Sequence, residues 1–433
     1  MKQDLNARYE NADKLRLARR YEEAGSELES IWNEAPSKFV GWRLAYCLRK
    51  AGRLEEAESI AQQALDAYPD DAFTRSELGW ILREKHLRSA KDDRDLGRAL
   101  EVARRIVAVS DNKMLLVRVV LDVMKVAKDK GSWEVVLEWS ERVSSEDLRA
   151  EPVVLPNGTR VMSKRQIWYI GRSRALLELG RYDEACSVAR AGLGEFPNCI
   201  HLNRTAALAL EGAGELSSAI GEMQALLAHP RADWYVKADL ARMLFRAGNA
   251  ADAYRLICEA VLSTRQSDEY KLTSYITLAQ IALARNDLDV AAMHVALVKA
   301  IAAEQGWQVK REVIQTENQV LAALKAAGRQ WPEVPKDRVE LSRMCERKWR
   351  EGQYEGLELH RGTVKPYPQD RAFTFIQRDD GAEDVFVLVQ DLPENCRKPG
   401  SRVEFALVSS FDRKKGRESV RAVNIRCAPE ARR

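Results

Sequence analysis

The residues of this chain best equipped for metal or nucleophilic chemistry are five histidines and seven cysteines. His86, His201, His229, His294 and His360 have no second histidine or cysteine at a ligand spacing. Cys199 and His201 stand two apart, and a buried thiol beside a helix-start histidine accounts for them. Cys47, Cys186, Cys199, Cys258, Cys345, Cys396 and Cys427 are odd in number and contain no C-x-x-C. That pattern argues against a disulfide scaffold or a zinc ribbon and for reduced thiols. Asp92, Asp93 and Asp95 lie in K-H-L-R-S-A-K-D-D-R-D (85–95), which reads as a solvated loop rather than a metal cage. No G-x-x-x-x-G-K-[ST], H-E-x-x-H or G-x-S-x-G is present, so the sequence offers no phosphate loop, zincin helix or nucleophile elbow. A non-catalytic protein without metal or cofactor is expected. The remaining chemistry is aromatic. The run R-A-F-T-F-I-Q-R-D-D-G-A-E-D-V-F-V-L-V (371–389) alternates, turns at D-D-G and alternates again. It predicts a β-hairpin carrying Phe373, Phe375 and Phe386.

That hairpin stands at the end of a chain that otherwise reads as helix. At 433 residues, 45% apolar and 31% charged, the chain has room for a long repeat array plus a small module. The N-terminal M-K-Q-D-L-N-A-R-Y-E lacks an apolar core, so no signal peptide is expected. The most apolar run, 290–303, contains His294 and Lys299 and predicts a buried helix rather than a membrane span. A cytoplasmic protein is the expectation. Residues 361–433 carry 15 Lys and Arg against 11 Asp and Glu, and the rest of the chain 54 against 54. The basic excess therefore sits on the tail, and a basic surface is a footprint of nucleic-acid binding.

Four segments share one scheme. Residues 42–69 read W-R-L-A-Y-C-L-R-K-A-G-R-L-E-E-A-E-S-I-A-Q-Q-A-L-D-A-Y-P, and 169–197 read Y-I-G-R-S-R-A-L-L-E-L-G-R-Y-D-E-A-C-S-V-A-R-A-G-L-G-E-F-P. Residues 205–230 and 239–263 repeat it around A-G-E-L and A-G-N-A. Each is an apolar helix, a glycine turn and a second helix. Close helix crossing demands small residues, supplied by Ala45 with Ala57, Ser173 with Ala185, Ala207 with Ala219 and Ala241 with Ala253. Gly52, Gly180, Gly214 and Gly248 allow the first helix to end with a positive φ. Pro36, Pro69 and Pro197 stop the second helices. This scheme, with a period of about 34 residues, resembles the tetratricopeptide repeat. Units are expected to begin near residues 5, 38, 71, 113, 166, 200, 234 and 272, followed by a capping helix near 307–327.

The expected fold is mostly α: a right-handed helical-repeat solenoid over 1–330, a linker and helix over 331–357, and a β-module over 358–433. Glu-Pro-Val-Val-Leu-Pro-Asn-Gly-Thr-Arg-Val-Met, near 151–165, predicts a hairpin around Asn157-Gly158 that is either a partner contact or an ornament. Stacked repeats build a concave face suited to a protein partner. The first-helix residues expected on that groove are Arg43, Tyr46, Arg75, Arg118, Arg172, Asn203, Arg204, Lys237 and Arg242. Their chemistry suits an acidic peptide or a phosphate backbone.

Five strands can be drawn in the tail, at about 359–366, 372–378, 384–390, 402–410 and 418–426, which predicts a small closed barrel of the oligonucleotide-binding type. The stretch G-T-V-K-P-Y-P-Q-D-R-A-F-T-F-I-Q-R-D-D-G-A-E-D-V-F-V and the ending S-V-R-A-V-N-I resemble the cold-shock domain. The resemblance covers nearly the whole tail. It implies single-stranded RNA or DNA binding, with bases stacked on aromatics of the second and third strands. Carried over, Phe373, Phe375 and Phe386 occupy the family's aromatic positions, Tyr367 stands for a Phe, Arg371 for a Lys, and Lys365 matches. The departures are Pro366 for the family Trp, Leu388 for its His, Val389 for the following Phe, and Ala372 and Thr374 for two glycines. Arg413, Lys414, Lys415 and Arg417 are candidates for phosphate contacts, with Arg421 and Arg426 near them. The reading is an adaptor that holds a protein partner in its repeats and binds single strands weakly through its tail. The alternative is a protein scaffold whose barrel has lost nucleic-acid binding; a third option is RNA wrapped along the array. Module pairs of this kind suit RNA metabolism or phage defence, between which the sequence does not choose.

Overall fold

A computed structural model describes residues 2–368, 370–412 and 417–428, of which 2, 3, 411, 412, 417 and 418 as backbone only. The chain forms two compact units, Met1–Glu215 and Leu216–Arg433. The first unit contains helices α1 (Lys2–Leu17), α2 (Tyr21–Glu34), α3 (Lys38–Lys50), α4 (Leu54–Ala67), α5 (Ala72–Leu82), α6 (Arg88–Asp92), α7 (Leu96–Val109), α8 (Lys113–Asp129), α9 (Trp133–Ser140), α10 (Lys164–Glu178), α11 (Tyr182–Glu195) and α12 (Ile200–Gly212). Strands β1 (Val153–Val154) and β2 (Arg160–Val161) lie between α9 and α10.

The helices follow the expected repeat. First helices of successive pairs start at residues 2, 38, 72, 113, 164, 200, 234 and 272. Ala45, Ala57, Ser173, Ala185, Ala241 and Ala253 are fully buried where paired helices cross. Gly52 adopts a φ of +85° and Gly248 +86°, a conformation that an L side chain enters only with strain. Helix starts are fixed by side-chain caps: Ser37, Asp71, Asn112 and Ser163 accept from the amides of Val40, Thr74, Leu115 and Gln166.

The segment expected to be a loop, 85–95, is instead mostly helical. A π-helical turn at Arg83–Leu87 runs into α6. Two things hold it down. Leu87 and Ala90 are fully buried, and its charges are paired, Glu84 with Arg49 at 2.9 Å and Lys85 with Glu58 at 3.2 Å. Asp95 caps α7 through the Arg98 amide. Among the described residues no group of three His, Cys, Asp or Glu is placed to hold a metal ion. The 151–165 insertion does form a hairpin, with Val153 opposite Val161. Val153, Val154, Leu155, Val161 and Met162 on it are exposed.

The second unit contains α13 (Leu216–Leu227), α14 (Trp234–Arg246), α15 (Ala250–Val261), α16 (Leu272–Ala284), α17 (Leu288–Glu304), α18 (Arg311–Ala326) and α19 (Arg338–Gly352). The last of these packs against α15 and α17. Its Leu341, Cys345 and Trp349, spaced four apart on one face, are buried in the helical core. Trp349 stacks on Tyr275 at 5.2 Å and donates its indole N–H to His294 Nε2 at 2.8 Å.

After α19 come β3 (Leu359–Val364), β4 (Phe373–Arg378), β5 (Val385–Leu388), β6 (Arg402–Asp412) and β7 (Arg417–Cys427). They close a barrel in the order β3-β4-β5-β7-β6, with β5 and β7 parallel and the other pairs antiparallel. Val364, Ile376, Val385, Val387, Val403 and Phe405 fill it. The expectation of reduced thiols is corrected here, since a disulfide joins Cys396 and Cys427. They are 31 residues apart in sequence, and the barrel brings their Cα atoms to 6.0 Å; no short-range spacing could have signalled that. Cys47, Cys199, Cys258 and Cys345 are free thiols. Among the described residues no helix is long and apolar enough to cross a membrane.

Candidate nucleic-acid interface

The alternation of β4 and β5 decides which side chains face out. In β4, Thr374 and Ile376 are buried, so Phe373 and Phe375 point away from the barrel core. In β5, Val385 and Val387 are buried and Phe386 and Leu388 point out. Register does the rest. Phe375 pairs with Phe386, and Phe373 with Leu388. The three phenylalanines meet as one cluster, with ring centroids 5.4 Å apart for Phe373–Phe386 and 6.1 Å for both contacts of Phe375. Phe375 is 38% exposed. Phe373 and Phe386 are half-buried beside it, so the cluster is partly exposed rather than core. A partly exposed aromatic cluster on two neighbouring strands presents π-faces that any base can stack on.

Charge surrounds the cluster unevenly. The Arg371 guanidinium lies 4.1 Å above the Phe373 ring. Arg421, exposed on β7, stands opposite Phe386. Among the described residues neither has a carboxylate partner. Lys365, by contrast, pairs with Asp384. Tyr367 donates its hydroxyl to the Arg397 carbonyl and packs partly onto the barrel core, so its ring is a side wall rather than a free platform. Arg402 holds the Asp379 carboxyl below the usual carboxylate range, and Arg378 does the same for Asp380. Those pairs flank the Asp-Asp-Gly turn, where Gly381 has a φ of +77°. Arg413, Lys414 and Lys415 lie outside the described residues, and of Arg417 only the strand backbone is described.

The residues expected on the groove of the array are mostly engaged within the chain. Arg43 pairs with Asp13 at 3.0 Å and lies 4.2 Å over Trp42. Tyr46 meets Tyr21 edge-on. Arg75 donates to the Val109 carbonyl at 2.9 Å, and Asn203 to the Cys199 carbonyl at 3.1 Å. Arg172 reaches Ser140 and Glu141. Lys237 pairs with Glu259 at 2.8 Å and Arg242 with Asp239 at 3.7 Å; Arg204 is engaged as well. Arg118 differs. It lies 5.5 Å over Trp80, and its Nε is shut off from solvent with no acceptor. Arg83 and Lys164, which sequence reasoning passed over, lie near it. No local pattern marks them, because their proximity is tertiary.

Residues 15–73 match the family model of the tetratricopeptide repeat. Among curated proteins none matches the chain's sequence. Solved structures with similar folds include a tetratricopeptide repeat protein from Parabacteroides merdae, 11% identical over 64% of this chain and 99% of that one, with a TM-score of 0.31. Another is the human IFIT1 dimer with m7Gppp-AAAA, 17% identical over 73% of this chain and 72% of that one, TM-score 0.39. A third is a thermophilic tetratricopeptide repeat protein of Thermus thermophilus, 15% identical over 56% of this chain and 99% of that one, TM-score 0.29. The likeness is one of helical repeat fold and goes no further.

Proposed function

We propose that this chain, a tetratricopeptide-like helical array ending in an oligonucleotide-binding-like barrel, is a non-catalytic adaptor. In this reading the repeats hold a protein partner, and the barrel takes single-stranded nucleic acid with little sequence preference. What carries it is the outward cluster of Phe373, Phe375 and Phe386, flanked by Arg371 and Arg421, two cations free of carboxylate partners among the described residues. Stacking supplies affinity without reading base identity, and the flanking guanidiniums are placed for backbone phosphates. Joining the two grips on one chain raises the effective concentration of one partner near the other.

The test is fluorescence anisotropy of the full chain with labelled single-stranded RNA, single-stranded DNA and duplex. Each stacked base is worth about 1–3 kcal/mol, so Phe373→Ala/Phe375→Ala/Phe386→Ala is expected to weaken single-strand binding by at least about a hundredfold. These side chains face outward, and the variant is expected to keep its fold by circular dichroism. Equal binding of duplex, or unchanged binding by the folded variant, defeats the reading. A second reading, a scaffold whose barrel serves protein contact alone, is favoured by one observation. Two of the positions carried over from the cold-shock resemblance, Lys365 and Tyr367, are occupied by contacts inside the barrel. Absence of any binding at low salt selects it.

A further inference from the structure

In the N-terminal unit the π-helical turn after α5, α6, α8 and the start of α10 bring cations together around a single carboxylate. Asp122 on α8 pairs with Arg83 at 2.6 Å and with Lys91 at 2.9 Å. One turn before it stands Arg118, and Lys164, the first residue of α10, lies within electrostatic reach of Arg118, Arg83 and Asp122. Burial, and then the charges of Arg118, Arg83 and Arg149, push the Lys164 amine below its ordinary value. Arg83 and Lys91 thus share Asp122, while Arg118, Arg149 and Lys164 add positive charge around them. Among the described residues Arg118, Arg149 and Lys164 have no carboxylate partner. The Nε groups of Arg83 and Arg118 are buried without an acceptor, and Asp122 Oδ2, in ion-pair range of Arg83, receives no hydrogen bond. A buried donor without an acceptor is costly, and like charges held together out of water are costlier. Arg83 also begins the π-helical turn, a distortion of α-helix common at functional sites.

We propose that this cluster is a binding site for a phosphoryl group, on a nucleotide or at the end of an oligonucleotide. The stereochemistry favours phosphate over a peptide carboxylate. A carboxylate brings one charge and two oxygens, which Asp122 already supplies. A terminal phosphate carries about −1.5 to −2 with three acceptor oxygens, matching a charge surplus spread over guanidinium and amine donors of α8, the start of α10 and the loop before it. The site lies in the repeat array, and the inference does not depend on what the barrel binds.

Differential scanning fluorimetry of the full chain with sodium pyrophosphate, against sodium chloride at matched ionic strength, tests the site. Pyrophosphate is expected to raise the melting temperature saturably, and chloride is not. Arg118→Gln/Lys164→Gln is expected to lose that shift while melting no lower than wild type without the anion, because it removes mutual repulsion. A purely structural role for these cations predicts the reverse, a lower starting temperature. Should the double variant fail to fold, Lys164→Gln alone carries the test, since among the described residues the Lys164 side chain makes no hydrogen bond to lose. For the source, a 5′-phosphorylated oligonucleotide is expected to bind at least tenfold more tightly than its 5′-hydroxyl twin. That preference is to persist in Phe373→Ala/Phe375→Ala/Phe386→Ala and vanish in Arg118→Gln/Lys164→Gln. Pyrophosphate binding with no preference between oligonucleotide ends assigns the site to small phosphate compounds. Stabilisation no greater than that by chloride, a shift retained by the folded double variant, or equal stabilisation by an acidic peptide overturns the proposal.

Discussion

His294 is the clearest place to test the packing of the second unit. It is wholly buried in α17, and both ring nitrogens are committed. Nδ1 lies 2.7 Å from the Val290 carbonyl, which can only accept, and Nε2 lies 2.8 Å from the Trp349 indole nitrogen, which can only donate. The neutral tautomer protonated at Nδ1 is therefore fixed. Burial outweighs the Val290 hydrogen bond and the Asp287 charge and lowers the pKa to about 4. In the unfolded chain a histidine titrates near 6.5. As pH falls from 6.5 towards 4, the unfolded state takes up a proton that the folded state refuses, so stability falls with pH over that window and is retained above it. Between pH 7 and pH 5 the loss from this one group comes to about 2 kcal/mol. Other groups also titrate there, so the informative quantity is the difference from His294→Gln, whose amide stays neutral. Hydrogen exchange of α17 and α19 amides is expected to show the wild type losing about 2 kcal/mol more than the variant over this interval. The ring C–H resonance missing from the His294→Gln spectrum identifies His294 directly. If that resonance titrates near 6.5 in the folded protein, the account of a desolvated, doubly committed ring is wrong.

Three further outcomes follow from the barrel. Gly362→Ala places a Cβ 2.4 Å from the Gln377 carbonyl oxygen and 2.6 Å from Ile376; since backbone must move, a loss of about 3 kcal/mol is expected, read as faster hydrogen exchange in β3 and β4. Asp384→Asn releases Lys365 from its ion pair, and on the single-strand reading it should tighten binding a few-fold at low salt and steepen the log–log salt slope by about 0.7. Cys396→Ser/Cys427→Ser opens a link spanning 31 residues, which the chain-entropy argument values at about 3–4 kcal/mol. Finding seven free thiols in the native protein by thiol titration would show that Cys396 and Cys427 are not joined.

Periodicity made most of the fold legible. Helix pairs begin within about three residues of the positions expected from the 34-residue spacing. The barrel strands lie where alternation put them, and the aromatic face could be read because a period of two sends Phe373 and Phe375 to the same side. The misreadings have a common cause in contacts made across the fold. Lys85, His86 and Asp92 look like loop chemistry, yet the segment is helical because Leu87 and Ala90 are buried and because Glu58, almost 30 residues earlier, receives both Lys85 and His86. The disulfide was invisible for the same reason. A signal for α19 as part of the core was present in Leu341, Cys345 and Trp349, spaced four apart.

Net charge misled more than any motif did. The tail carries the whole formal excess, but Arg361, Lys365, Arg378 and Arg402 are each paired with an acid inside the barrel. Beside the phenylalanines, Arg371 and Arg421 have no carboxylate partner among the described residues. The rest of the chain balances to zero on paper, with 54 charges of each sign. Its balance is reached by uneven pairing. Asp13 serves both Arg16 and Arg43, and Glu58 faces Lys85, His86 and Arg105, while Arg118, Arg149 and Lys164 go without a carboxylate among the described residues. A ligand responds to cations whose field is uncompensated where it docks, and screening removes the remainder beyond about 10 Å. Neutralising Arg371, within the +4 tail, or Lys164, within the neutral array, should therefore weaken an anionic ligand at the matching site alone. Arg361→Gln, which changes net charge by the same amount, should leave both sites within a factor of about two at physiological salt. If Arg361→Gln weakens binding as much as Arg371→Gln does, total charge governs recognition and the pairing argument fails.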